Sequence, residues 1–446
     1  MLASPKLGAS GTDRSPDDQT MTDTLAHPRA AHAAEPAFAE RVRASFPVFE
    51  RRIAGKPIAF FDGPGGSQVP RQVAQAVADY LTLHNANTHG RFPTSEETDA
   101  ILSGARQAAA DFVNGDAGEI VFGNNMTTVT FHLSRSLGRL WGPGDEVVVT
   151  ELDHQANVAP WKRMAADNGM TVRIAPLNRD TLQLDYAALE ALTSDRTRLV
   201  AIGAASNALG TVNDVRRVTD AARAVGALSF VDAVHYAPHF LPDVRELGCD
   251  FLACSSYKFF GPHAGILWGR RELLERLEPY KVPPASNEAP ERWETGTQNH
   301  EAIAGIGAAI DWIAGIAGGD GGEGGRRDAL RRSYEAMHAH ESALFQQLED
   351  GLRATAGVRF FGVERGQPRT PTCAFVVDGS TPDEVARRLG EEGVFVWNGD
   401  FYATTVCEAL GVADCGGLIR AGIAPYSTED DVRRLIDGVA RIARGA

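Results

Sequence analysis

The chain has 446 residues, 43% hydrophobic and 23% charged, with a formal net charge of −14, the make-up of an ordinary globular protein long enough for two domains. Such an acidic balance repels nucleic-acid backbones and anionic lipid, and no basic block interleaved with aromatics occurs, so neither nucleic acid nor membrane is an expected partner. Five cysteines (Cys249, Cys254, Cys373, Cys407, Cys415) show no CxxC spacing, no apolar run is long enough for a membrane span, and the N-terminus lacks the charged-then-apolar order of a signal peptide. A reduced cytoplasm fits.

In chain order, residues 1–40 are rich in Ala, Pro, Asp, Thr and Ser without periodicity and read as a mobile tail. After a segment at 41–70, apolar strand-like runs alternate with helix-like stretches from 71 to 314, as in Asp214 to Val225 between the runs at 199–202 and 228–231. That alternation predicts an α/β domain with a mostly parallel sheet covered by helices on both faces. The stretch 315–326 is too rich in glycine for a helix or strand and marks a domain boundary. Beyond it the pattern predicts a helix over 327–354, strands at Thr372 to Val377 and Val394 to Trp397, and helices at Pro382 to Glu391 and Thr428 to Arg444. Residues 327–446 therefore read as a smaller α+β domain.

The chemistry-bearing residues sit where the strands end. Lys258 follows the run Phe251 to Ala253, Asp232 ends Phe230-Val231-Asp232, and Asn207 follows Leu199 to Ile202. His154 follows Glu146 to Thr150, and Asn125, Met126, Thr127 and Thr128 follow Glu119 to Phe122. In open α/β sheets ligands bind at the carboxyl ends of strands. A lysine and an aspartate on neighbouring strand ends are what an enzyme using pyridoxal 5'-phosphate (PLP) requires: one amine to bond the cofactor, one carboxylate for its pyridinium nitrogen. Asp232 and His235 could also serve a metal, but no third ligand follows with metal-like spacing, and no metal is expected.

Five ordered segments carry a family resemblance: Phe-Phe-Asp-Gly-Pro-Gly-Gly (60–66), Asp-His-Gln-Ala-Asn-Val-Ala-Pro-Trp (153–161), Val-Asp-Ala-Val-His-Tyr-Ala-Pro-His (231–239), Tyr-Lys-Phe-Phe-Gly-Pro-His (257–263) and Glu-Thr-Gly-Thr-Gln-Asn (294–299). From residue 45 to 444 the chain resembles the class V aminotransferase-type PLP enzymes of fold type I, in the cysteine desulfurase and selenocysteine lyase branch. Within that branch it is most similar to the cysteine desulfurase-like subfamily. The resemblance implies that Lys258 carries the cofactor and moves the proton at the substrate Cα, that Asp232 holds the ring nitrogen protonated, and that His154 lies over the ring face. Asn207 would donate to the phenolic oxygen, with His235 nearby in place of the usual glutamine. The phosphate would meet the backbone at Met126 and Thr127 and the hydroxyls of Ser255 and Tyr257, the latter replacing a frequent histidine. Thr297 would reach the phosphate of a second subunit, implying a homodimer, and residues 41–70 would pack with the small domain. Arg420 matches the arginine that grips the substrate α-carboxylate through two parallel hydrogen bonds.

One departure bears on the reaction. Desulfurases move sulfur as a persulfide on a loop cysteine, and Tyr402 stands at the matching place in Val396 to Tyr402. Cys407, in a helix-like segment, and Cys415, in a turn, read as incidental thiols. The expected reaction is therefore β-elimination of a sulfur or selenium leaving group from an amino acid. The alternatives are an aminotransferase, an epimerase, a desulfurase with a relocated cysteine, or a PLP-bound accessory protein without turnover.

Overall fold

A computed structural model describes residues 36–318 and 324–445. Most of the expected N-terminal tail lies outside these residues, but its last part does not behave as a tail. Pro36–Arg43 is a helix, anchored by buried Phe38, Ala39 and Val42. Two helical turns are too short for their apolar stripe to stand out as a period in the sequence.

Seven strands form the main sheet: β1 (Ile120–Gly123), β2 (Glu146–Thr150), β3 (Thr171–Ala175), β4 (Thr197–Gly203), β5 (Leu228–Asp232), β6 (Phe251–Ser255) and β7 (Gly265–Gly269). Their spatial order is β1-β7-β6-β5-β4-β2-β3. β7 runs antiparallel to both its neighbours, and every other pairing is parallel. Alternate residues along the strands enter opposite cores, as the period of two requires. Val147, Val149, Leu199, Ala201 and Phe230 pack with Met126, Leu133 and Trp161 on one face. Val148, Val200, Ile202, Val231 and Leu252 pack with Phe112, Val218 and Ile306 on the other. With both faces covered, these strands read as continuous apolar runs.

Four antiparallel strands form a second sheet, β8 (Val358–Phe361), β9 (Thr372–Val377), β10 (Trp397–Gly399) and β11 (Leu418–Gly422), in the order β8-β9-β11-β10. The helices Gly325–Ala354, Pro382–Glu391 and Glu429–Ala443 share its core. The first of these begins two residues before the expected 327, and residues 319–323 of the glycine-rich stretch lie outside the described residues. The strand expected at Val394 to Trp397 is divided: Val394–Phe395 pairs in parallel with Ala59–Phe60, whereas β10 turns to β11. Ala59 and Phe61 thereby enter the core of the second sheet beside Phe375 and Val439. Phe46 meets Tyr426 edge-on at 5.1 Å and Trp312 at 5.1 Å, so this N-terminal segment touches both parts of the molecule. No helix among the described residues is long and apolar enough to cross a membrane.

Candidate active site

A cavity of about 620 Å³ opens where β1, β2, β4, β5 and β6 end, a size suited to a small molecule. Its wall holds Met126, Thr127, His154, Asn207, Asp232, His235, Ser255, Tyr257 and Lys258. The sheet register brings these distant positions together, since Asp232 pairs with Gly203 on one side and Ala253 on the other.

Lys258 ends a short turn, Ser256–Lys258, directly after β6. Its Nζ donates to the Pro64 carbonyl at 2.5 Å. Burial and then the Arg420 charge bring its amine down to about 7, against the pull of Asp232. Asp232 accepts the Val234 N–H at 2.9 Å. Burial pushes its carboxyl up to about 6, with that hydrogen bond and Lys258 opposing the shift.

At the end of β1, Asn125 caps the helix Met126–Gly138 by accepting the Thr128 N–H at 2.8 Å. The Met126 N–H is taken by Ser255 Oγ at 2.9 Å, while exposed Thr127 and Thr128 remain on the cavity wall. This helix end favours an anion. Gly265 is required beside it, because a Cβ there would lie 2.5 Å from the Asn125 carbonyl carbon. The close approach brings the turn before β7 alongside, and the His263 ring stacks on Tyr257 at 5.1 Å and 13°.

His154 caps the turn Gln155–Asn157, its Nδ1 accepting the Ala156 N–H at 2.9 Å. Burial, then the charges of Lys258 and Arg420, lower its imidazole to about 4, so the ring is neutral at physiological pH. His235 is held well below its ordinary value by burial and by His239. Its Nε2 meets the hydroxyls of Thr370 at 3.1 Å and Thr372 at 3.2 Å. Two polar atoms on the cavity wall, His235 Nδ1 and Asn207 Oδ1, are buried without a protein partner, a costly state that a polar ligand relieves.

Arg420 and Thr297 are the expected site residues that the cavity wall lacks. Arg420 is 4% exposed, and its Nη1 donates to the Asn207 carbonyl at 2.8 Å. The Phe401 ring covers its guanidinium, 4.1 Å from ring centre to guanidinium carbon. Burial lowers Arg420 to about 9, which leaves it protonated at neutral pH. Thr297 lines a different cavity, of about 610 Å³, with Asn87, Thr88 and His89.

The pattern of strand ends did not single out Asp153 or His263, yet both line the main cavity. Asp153 Oδ1 accepts the Gly203 N–H at 2.7 Å and Oδ2 accepts from Asn157 at 3.1 Å. Burial, with Asp232 adding to it, pushes this carboxyl up to about 8. Its position directly before His154 was the available signal. Phe401 and Tyr402 are a further surprise, with φ of 55° and 57°, a left-handed conformation that costs a residue other than glycine about 1–3 kcal/mol.

The family described as aminotransferase class-V matches residues 59–435. A cysteine desulfurase of Pectobacterium atrosepticum is 32% identical over 421 residues, covering 91% of this chain and 98% of its own. Among solved structures, a cysteine desulfurase from Thermococcus onnurineus superposes with a TM-score of 0.82 at 26% identity, covering 93% of this chain and 100% of its own. One from Escherichia coli gives 0.78 at 28% identity, covering 91% and 98%. The chain belongs to the class V aminotransferases, PLP-dependent enzymes of fold type I, and within them to the cysteine desulfurase type.

Proposed function

We propose that this enzyme holds PLP through Lys258 and eliminates a sulfur or selenium leaving group from Cβ of an amino acid. The cavity suits the cofactor: a helix N-terminus with hydroxyls for a phosphate, a buried carboxyl for a ring nitrogen, and an unpartnered ring nitrogen on His235 for a ring substituent. When bound, PLP supplies an electron sink for the pair left at Cα. Lys258, with an amine that is largely neutral just above pH 7, takes the Cα proton. Asp232 would hold the ring nitrogen of the bound cofactor protonated, and neutral His154, on the same cavity wall, would pack against its ring. Arg420 fixes the α-carboxylate and so the orientation of the Cα–H bond. With cysteine, loss of the Cα proton and cleavage of Cβ–S, followed by hydrolysis, release sulfide, pyruvate and ammonia.

Tyr402 carries the choice of elimination over sulfur transfer. Its phenol ring, 70% exposed, lies 5.4 Å from the His154 ring, and a phenol cannot accept sulfane sulfur. None of the five cysteines lines the cavity. Cys407 is buried, which pushes its thiol up to about 11, and an inert thiol of that kind is a poor nucleophile. The test is mass spectrometry of the protein after reaction with cysteine, with product analysis, on wild type, Cys407→Ser and Cys415→Ser. Pyruvate formation that survives both substitutions supports elimination. Alanine formed together with a persulfide on either cysteine sinks it and restores a desulfurase with a relocated acceptor.

We also propose a homodimer, in which Thr297 and the segment Asn85 to Arg91 complete the partner's site. Their location on a second cavity of this subunit, away from Lys258, supports that reading.

A further inference from the structure

Four contacts fasten Phe401 and Tyr402 across the site. The Phe401 carbonyl accepts from Asn207 Nδ2 at 2.9 Å, and the Tyr402 carbonyl accepts the Gln155 N–H at 2.8 Å. The Phe401 ring covers Arg420 at 4.1 Å, and the Tyr402 ring stands 5.4 Å from His154. Each side-chain contact therefore falls on a group that has a ligand-binding role in the proposed reaction: Asn207, Arg420 or His154. Both residues occupy left-handed backbone at φ 55° and 57°, a conformation that persists because the surrounding contacts impose it. Arg420 Nε has no partner in this arrangement.

We propose that Phe401 is a plug on Arg420 that competes with the substrate α-carboxylate for the guanidinium and that only a carboxylate displaces. This inference rests on the functional reading above. In the plugged arrangement the buried guanidinium is stabilised by the face of an aromatic ring. A carboxylate offers two charge-assisted hydrogen bonds in the same dry place and satisfies Nε as well, so it wins the exchange. When the left-handed backbone at 401–402 moves with the ring, the bond from Asn207 to the Phe401 carbonyl breaks and Tyr402 leaves His154. Carboxylate recognition is thereby coupled to release of the two groups that face the cofactor. An amine without a carboxylate has nothing to exchange for the ring and leaves the plug in place, which is selection by induced fit.

The test titrates the holoenzyme, followed by cofactor absorbance, with L-alanine and with ethylamine, its counterpart without the carboxylate. Wild type, Phe401→Leu and Phe401→Trp are compared. Leucine fills much of the space but has no aromatic face, so L-alanine binds Phe401→Leu about tenfold more tightly than wild type. Tryptophan restores the wild-type affinity, and ethylamine binding is the same in all three. Amide hydrogen exchange adds a readout independent of any variant: adding L-alanine to wild type speeds exchange at the Gln155 N–H, which the Tyr402 carbonyl otherwise protects. Unchanged or weaker L-alanine binding in Phe401→Leu, or exchange at Gln155 that ignores L-alanine, overturns the plug while leaving the enzyme's function intact. A wild-type protein that carries no cofactor on Lys258 overturns the functional reading and the plug with it.

Discussion

Lys258 Nζ donates to the Pro64 carbonyl at 2.5 Å across a sequence separation of 194 residues. The amine at the end of β6 is thus held by a turn from the opening segment of the chain. Burial and the Arg420 charge make its protonated form expensive, and its pKa falls to about 7. Below that value the amine is charged and not nucleophilic, and above it the amine is free to react. Covalent loading of the cofactor-free protein with PLP, followed by absorbance, should therefore speed up as pH rises through about 7 and level off above it. Arg420→Met removes a cation and should move the midpoint to higher pH. Lys258→Ala should abolish covalent attachment, and a reducible adduct surviving in that variant would move the assignment elsewhere.

Asp232 is buried with one oxygen on the Val234 N–H, a hydrogen bond that the amide oxygen of an asparagine side chain also accepts, without the charge. Asp232→Asn should keep the fold and bind cofactor, but turnover should drop by about a thousandfold because a neutral amide does not hold a ring nitrogen protonated. Near-normal kcat would reduce Asp232 to a turn residue.

Arg420→Lys keeps a positive charge and loses the planar fork. With an amino acid substrate, kcat/KM should fall by about a hundredfold, largely through KM. Equal losses for the amino acid and for its decarboxylated amine would mean that Arg420 does not grip a carboxylate.

Thr297 and the strained His89, at φ 65°, lie on a cavity of their own. Light scattering at assay concentration should give a dimer. Mixing Lys258→Ala with Thr297→Ala subunits should restore activity to a fraction of the sites if each site draws on two chains. A fully active monomer would exclude this arrangement.

Arg106 grips Glu294 with two hydrogen bonds, at 2.7 and 2.9 Å, and Glu294 also accepts the Phe122 N–H at 2.8 Å. Both side chains are largely shielded from water. Glu294→Ala should cost about 3 kcal/mol in urea unfolding, since it leaves a shielded guanidinium without its counter-charge, still bonded to the Ile120 carbonyl, and a strand N–H without a partner. A loss below about 0.5 kcal/mol, the size expected of an exposed pair, would show that the site is well hydrated.

The sequence by itself determined the sheet, because strands buried on both faces leave uninterrupted apolar runs, and it determined most of the cavity wall, because each polar group directly follows such a run. Lys258, Asp232, Asn207 and His154 needed only the rule that ligands meet strand ends. Strand Thr372–Val377 and helix Pro382–Glu391 were legible to the residue, since a proline and a threonine cap mark that helix start. The division of Val394 to Gly399 between two partners was not, because one extended stretch pairs equally well with either neighbour until both have folded. Only the tertiary structure decided that Pro64 holds Lys258, that His263 stacks on Tyr257, that Phe401 lies over Arg420 and that Thr297 faces another cavity. The residues in most of these contacts are far apart in the chain and meet through packing between loops. Loop packing leaves no period in the sequence, whereas burial of a strand or helix face does.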